Sequence, residues 1–132
     1  MRTVGLLAVS CVILALTACQ GRPEEHIKEF NGAAFKVTVR TREYNNSAIQ
    51  NVEVCAARLE DKEFPSDDSQ CLLKGYDFSN LEISWLSPQE AQISFACGRV
   101  SLFRNFALVR EAGGGMAQVH AKLVDHCSEP KH

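Results

Sequence analysis

The chain has no excess of positive charge: 132 residues carry 14 Lys and Arg against 16 Asp and Glu, for a net charge of -2. A protein that tracks nucleic-acid phosphates needs a clear surplus of cations, so that class is set aside. No Cys-x-x-Cys occurs, which argues against a compact redox motif or a zinc ribbon. There is no Gly-x-Ser-x-Gly elbow, and none of the four histidines (His26, His120, His126, His132) forms an i, i+4 metal pair. Asp125 and His126 are adjacent, but strand neighbours point to opposite faces and would not orient one another. Glu60-Asp61 and Asp67-Asp68 lack the spaced oxygen ligands of a calcium loop. No catalytic residue, metal or cofactor is therefore expected. Past residue 16 there is no long apolar run, no internal repeat and no sustained helical period.

The apolar content is concentrated at the start. Arg2 precedes an uncharged stretch from Val4 to Leu16, after which Gln20-Gly21-Arg22-Pro23-Glu24-Glu25 turns abruptly polar. The stretch is short of the roughly 20 residues that span a bilayer and suits the core of an export signal. It ends in Leu16-Thr17-Ala18-Cys19, which resembles the lipobox of bacterial lipoproteins at all four positions. The resemblance implies that residues 1–18 are removed, that Cys19 carries covalent lipid (diacylglycerol on the thiol, acyl on the new amino group), and that the chain is exported. Each buried methylene adds about 0.8 kcal/mol of membrane affinity, so two or three acyl chains anchor almost permanently. Gln20 stands where an Asp would mark inner-membrane retention in enteric lipoproteins. By resemblance this favours the outer membrane with the domain facing the periplasm; the inner membrane stays open, because sorting rules differ among bacterial groups.

Residues 19–33 read as the lipidated Cys and a short tether, in which Pro23 suits the start of a one-to-two-turn helix with Ile27 and Phe30 on one side and Asn31-Gly32 as its stop. Residues 34–132 read as one all-β domain, an antiparallel β-sandwich or small barrel of about six to seven strands. Phe35 to Arg42 alternates, with Phe35, Val37 and Val39 on one face and Lys36, Thr38, Arg40 and Arg42 on the other. Tyr44-Asn45-Asn46-Ser47 is turn chemistry, and Asn45-Asn46-Ser47 also matches a glycosylation sequon. Further strands are expected over Val52–Leu59, Leu81–Leu86, Ala91–Cys97, Val100–Arg110 and Gln118–Cys127. Ser87-Pro88-Gln89-Glu90 and Glu111-Ala112-Gly113-Gly114-Gly115 suit hairpin turns.

Six cysteines in so short a chain point to an oxidising compartment once an export signal is granted. Cys11 falls in the removed segment and Cys19 takes the lipid, leaving Cys55, Cys71, Cys97 and Cys127 for two disulfides. Cys97 is in phase with Ile93 and Phe95, and Cys127 with Val119, Ala121 and Leu123, so both are expected in the core and bonded to each other. Cys55 is out of phase with Val52, Val54 and Ala56, and Cys71 closes the acidic loop Glu60–Asp68, so Cys55–Cys71 is the second expected bond. A Cys55–Cys97 bridge would imitate immunoglobulin-like domains, but Trp85 lies too close to Cys97 for that pattern.

Two surface features suggest partner binding. One is the basic stripe Lys36, Arg40 and Arg42. The other is Arg99 to Val109, whose apolar residues occupy both strand phases and which includes Arg104 and Phe106. Such a stretch suits a strand buried on both faces, a bulge, or a face awaiting a partner. The expected function is a membrane-anchored, non-enzymatic protein-binding module whose partner is an envelope or secreted protein, in the manner of an immunity protein or inhibitor. An accessory subunit of a secretion or envelope complex is the alternative expectation, and a small hydrolase or metal-binding protein a third.

Overall fold

A computed structural model of the chain describes residues 23–44 and 48–127. The export signal and Cys19, the Asn45-Asn46-Ser47 sequon, and His132 lie outside the described residues. Within them are nine strands: β1 (Glu24–Asn31), β2 (Phe35–Glu43), β3 (Gln50–Arg58), β4 (Cys71–Ser79), β5 (Glu82–Ser87), β6 (Glu90–Phe95), β7 (Cys97–Phe103), β8 (Phe106–Arg110) and β9 (Met116–Asp125). A single 3-10 turn, Asp68–Gln70, precedes β4. The strands form a five-stranded sheet of order β1-β2-β3-β4-β7 and a four-stranded sheet of order β5-β6-β9-β8. The protein is thus all-β and two-sheeted, with open edges and no closed barrel. All pairings are antiparallel except β6 with β9, which run parallel from Glu90↔His120 to Phe95↔Asp125.

Strand alternation explains the core. Phe35, Val37 and Val39 of β2, Val52, Val54 and Ala56 of β3, and Leu73 of β4 meet Ala91 and Ile93 of β6, Ala107 and Val109 of β8, and Ala117 and Val119 of β9. Each strand presents one apolar face inward, as two stacked sheets require. The β8–β9 turn closes with Gly114 N–H donating to the Glu111 carbonyl and Glu111 N–H to the Gly115 carbonyl. Gly114 sits at φ 93°, where a side chain would be strained.

Four expectations need correction. The helix at Pro23 is instead β1, paired with β2 along its whole length from Glu24↔Glu43 to Asn31↔Lys36. Its hairpin is held by a partner remote in sequence: Trp85 Nε1 donates to the Phe30 carbonyl at 3.0 Å, and the indole occupies the space where a Cβ on Gly32 would stand. β4 went unread because its pairing is irregular on both sides, with register shifts against β3 and β7 that blur any alternation. Arg99 to Val109 is not one strand but the end of β7 and the start of β8, which belong to different sheets. Its apolar residues fall in both phases because each half answers to a different sheet.

The fourth correction concerns the sulfurs. Both expected bonds form, Cys55–Cys71 and Cys97–Cys127, yet the burial is the reverse of that expected. Cys55 and Cys71 are 0% and 2% exposed, whereas Cys97 and Cys127 are exposed. The chain leaves one sheet at Ala96 and enters the other at Cys97, so the phase of Ile93 and Phe95 does not carry through. Cys127 lies two residues past the end of β9. Cys55 does face away from the core, but residues 59–70 return across that face and cover it. Lys36 Nζ bonds the Asp61 carbonyl, Phe64 lies under Arg40 at 4.0 Å, and Gln70 Nε2 donates to the Ala56 carbonyl at 3.1 Å.

Candidate functional site: a groove at the β7–β8 junction

The step from one sheet to the other takes only two residues, Arg104 and Asn105. Both are pinned by backbone bonds. Arg104 N–H donates to the Leu72 carbonyl at 2.7 Å, and the Asn105 carbonyl accepts from Ala121 N–H at 2.8 Å. This link is therefore tied to β4 on one side and to β9 on the other, and the side chains around it project from a fixed frame.

Those side chains line a groove of about 660 Å³, formed by Ser69, Phe103, Arg104, Asn105, Phe106 and Leu108. Phe103 and Phe106 remain 37% and 39% exposed. β7 and β8 are each the last strand of their sheet, so the groove lies where both sheets present an unpaired edge. One wall is polar. Arg104 Nη2 donates to Asp68 Oδ2 at 2.8 Å, its Nη1 bonds the Asp68 carbonyl, and Lys74 Nζ holds the other oxygen of the same carboxylate. These bonds, from Lys74 first and then Arg104, hold the Asp68 carboxyl below the usual carboxylate range. Asp67 is also lowered, chiefly by the Ser69 N–H it accepts at 3.0 Å while capping the 3-10 turn. The arrangement is an aromatic and aliphatic trough with a guanidinium fixed at one end. Ser69 Oγ, at its rim, donates to the Asp67 carboxylate at 2.9 Å.

Of the residues singled out in the sequence, Arg104 and Phe106 meet in this groove, and the basic stripe does not. Lys36 is 3% exposed, with its ammonium on Glu29 at 2.9 Å and on the Asp61 carbonyl. Arg40 bonds Glu53 at 2.9 Å; its Nε lies 3.5 Å from Glu25 but makes no hydrogen bond there. Arg42 is 3.5 Å from Glu25 and borders a shallow groove with Tyr44, Lys74 and Tyr76. The stripe expected to meet a partner is thus largely paired with acids of neighbouring strands. Among the described residues, Glu53, Cys55 and Cys71 bring ligand-type atoms within 4.8 Å of one another, but the two sulfurs are bonded to each other. His120 packs beside Phe106, with ring centroids 6.2 Å apart. The Asp125 carboxylate accepts from Cys127 N–H at 2.7 Å.

Sequence reasoning missed Asp68, Ser69, Lys74, Phe103, Asn105 and Leu108 as members of one site. Phe103, Asn105 and Leu108 lay within the two-phase apolar stretch already noted. Asp68 and Lys74 carried no signal, because Asp68 links Lys74 to Arg104, which lies 36 residues from Asp68.

The fold and this groove define a two-sheet, doubly disulfide-bonded all-β domain with an open aromatic edge. No family model matches the chain, and no curated protein or solved structure matches it.

Proposed function

We propose that the chain is a lipid-anchored, non-enzymatic binding module of the cell envelope, held in the outer membrane with its domain in the periplasm. Its partner is an extended segment of an envelope-acting toxin or hydrolase, which it neutralises as an immunity protein or inhibitor does. The observation that carries this reading is the β7–β8 groove, where two half-exposed phenylalanines and a fixed arginine border unpaired strand edges. Unpaired edges supply backbone donors and acceptors to an incoming strand, and apolar pockets beside them select its side chains. The anchor rests on Leu16-Thr17-Ala18-Cys19. β1 starts five residues after Cys19, a reach of at most about 18 Å. The groove lies at the far edge of the five-stranded sheet from β1, across four strand spacings or roughly 19 Å. A partner could therefore approach it without meeting the tethered edge.

The test uses the full-length protein in native membranes, with a photo-crosslinking residue in place of Leu108. A single secreted or envelope protein should be captured, and capture should be lost when Phe106→Asp is added. Capture that survives Phe106→Asp removes the groove from the account. A captured component of a secretion machine would favour the accessory-subunit reading. Incorporation of labelled fatty acid should stop in Cys19→Ser; continued labelling would overturn the anchor.

A further inference from the structure

The two disulfides have opposite access to solvent, and neither access follows from their position along the chain. Cys55–Cys71 joins residues that are 0% and 2% exposed, roofed by residues 59–70 through the Lys36–Asp61 and Gln70–Ala56 bonds. Cys97–Cys127 joins two exposed residues. It sits at the corner where the chain changes sheets, past the last hydrogen bond of the parallel β6–β9 ladder, His126 N–H to the Phe95 carbonyl at 2.9 Å. Around it the backbone is held independently of the sulfurs. Ser79 Oγ accepts from Cys97 N–H at 3.1 Å, Asp125 caps Cys127 N–H, and β7 and β9 keep their ladders to β4 and to β6 and β8.

From this we infer that Cys97–Cys127 is a thiol–disulfide exchange site on the folded domain, open to a dithiol oxidoreductase or a small dithiol, while Cys55–Cys71 is closed to the same reagents. Exchange requires in-line approach of a thiolate to a disulfide sulfur, so access governs which bond reacts. In the reaction, one thiolate of the dithiol attacks one of the two sulfurs and forms a mixed disulfide. The Cys97–Cys127 bond breaks, and its electron pair leaves on the other sulfur, which takes a proton from water. The second thiol of the reagent then displaces the mixed disulfide. The products are two cysteine thiols on the protein and the oxidised dithiol, with two electrons transferred.

The bond closes a covalent ring over a separation of 30 residues that holds β7, β8 and β9. That ring contains every lining residue of the β7–β8 groove except Ser69. Exchange at this corner therefore opens the covalent ring around those strands while their ladders remain. The exchange itself is independent of whether the groove binds anything.

Two measurements on the native full-length protein test the inference. In the first, dithiothreitol is titrated in without denaturant, free thiols are trapped with iodoacetamide, and labelled sites are mapped by peptide. Cys97 and Cys127 should be labelled at least ~10-fold faster than Cys55 and Cys71, because the covered pair must await an opening of its roof. The β signature in circular dichroism should persist while only the first pair is labelled. In the second, a dithiol oxidoreductase lacking its resolving cysteine should be trapped as a covalent adduct at Cys97 or Cys127. Labelling of all four cysteines together, earlier labelling of Cys55 and Cys71, loss of β signature with the first pair, or the absence of any adduct would each overturn it.

Discussion

Arg104 and Asp68, 36 residues apart, hold each other through Nη2 and Oδ2 at 2.8 Å, and this pair ties the covering loop to the junction between the two sheets. Lys74 completes the contact from β4. One carboxylate thereby gathers three segments: the 3-10 turn, β4 and the β7–β8 link. The groove beside it owes its shape to that gathering.

Acid should loosen this contact. Asp67 and Asp68 both titrate below the ordinary Asp value in the folded chain. A depressed carboxyl contributes stability that is present above the unfolded value, near 3.9, and is lost as pH falls through the folded one. Thermal unfolding should therefore be insensitive to these two groups above about pH 5 and weaken progressively below pH 4. In Asp67→Asn/Asp68→Asn this part of the acid dependence should flatten; an unchanged slope would mean the pairing is not formed in solution.

Lys36 is buried, and its removal should be felt. Lys36→Ala strips the Asp61 carbonyl and Glu29 of their donor, and hydrogen bonds involving a charged group contribute about 1.5–3 kcal/mol. Chemical denaturation should show a loss of that order. Arg42→Ala, at a partly exposed pair, should cost under about 1 kcal/mol.

Losing the covered disulfide should lower stability measurably. Cys55–Cys71 spans a sequence separation of 16, for which loop-closure entropy predicts about 3 kcal/mol. For a domain near this size the double substitution Cys55→Ala/Cys71→Ala should lower Tm by roughly 10–25 °C. Differential scanning calorimetry measures this directly, and a shift of only a few degrees would contradict it.

Gly32→Ala should unseat Trp85. A Cβ at residue 32 would stand 2.7 Å from the indole, so either the ring or the β1–β2 hairpin must move, at about 1–3 kcal/mol for overpacking. Trp85 is the chain's sole tryptophan, so its fluorescence reports the site without interference. Emission should shift to the red as the ring gains water; unchanged emission and stability would show that the hairpin yields freely.

Local patterns in the sequence were enough for the all-β class, for the inward face of β2 and for both hairpin turns, and the four cysteines pair as expected although Cys97 and Cys127 lie outside the core in which their phase had put them. These follow from period-two alternation, from turn residues and from the small number of ways four sulfurs can join. The fate of the stripe Lys36, Arg40 and Arg42 was not legible, because alternation says which face a side chain takes and not what later covers that face. Here residues 59–70 cover Lys36 and Arg40, and they seal Cys55 as well. The same limit hid β4, whose bulged pairings leave no period, and β1, whose hairpin is locked by an indole fifty-five positions away. The β7–β8 groove belongs to this second group. Its apolar residues were visible in the chain, but only the switch between sheets at Arg104-Asn105 turns them into one surface, since packing between distant strands, and not local preference, sets where each sheet ends.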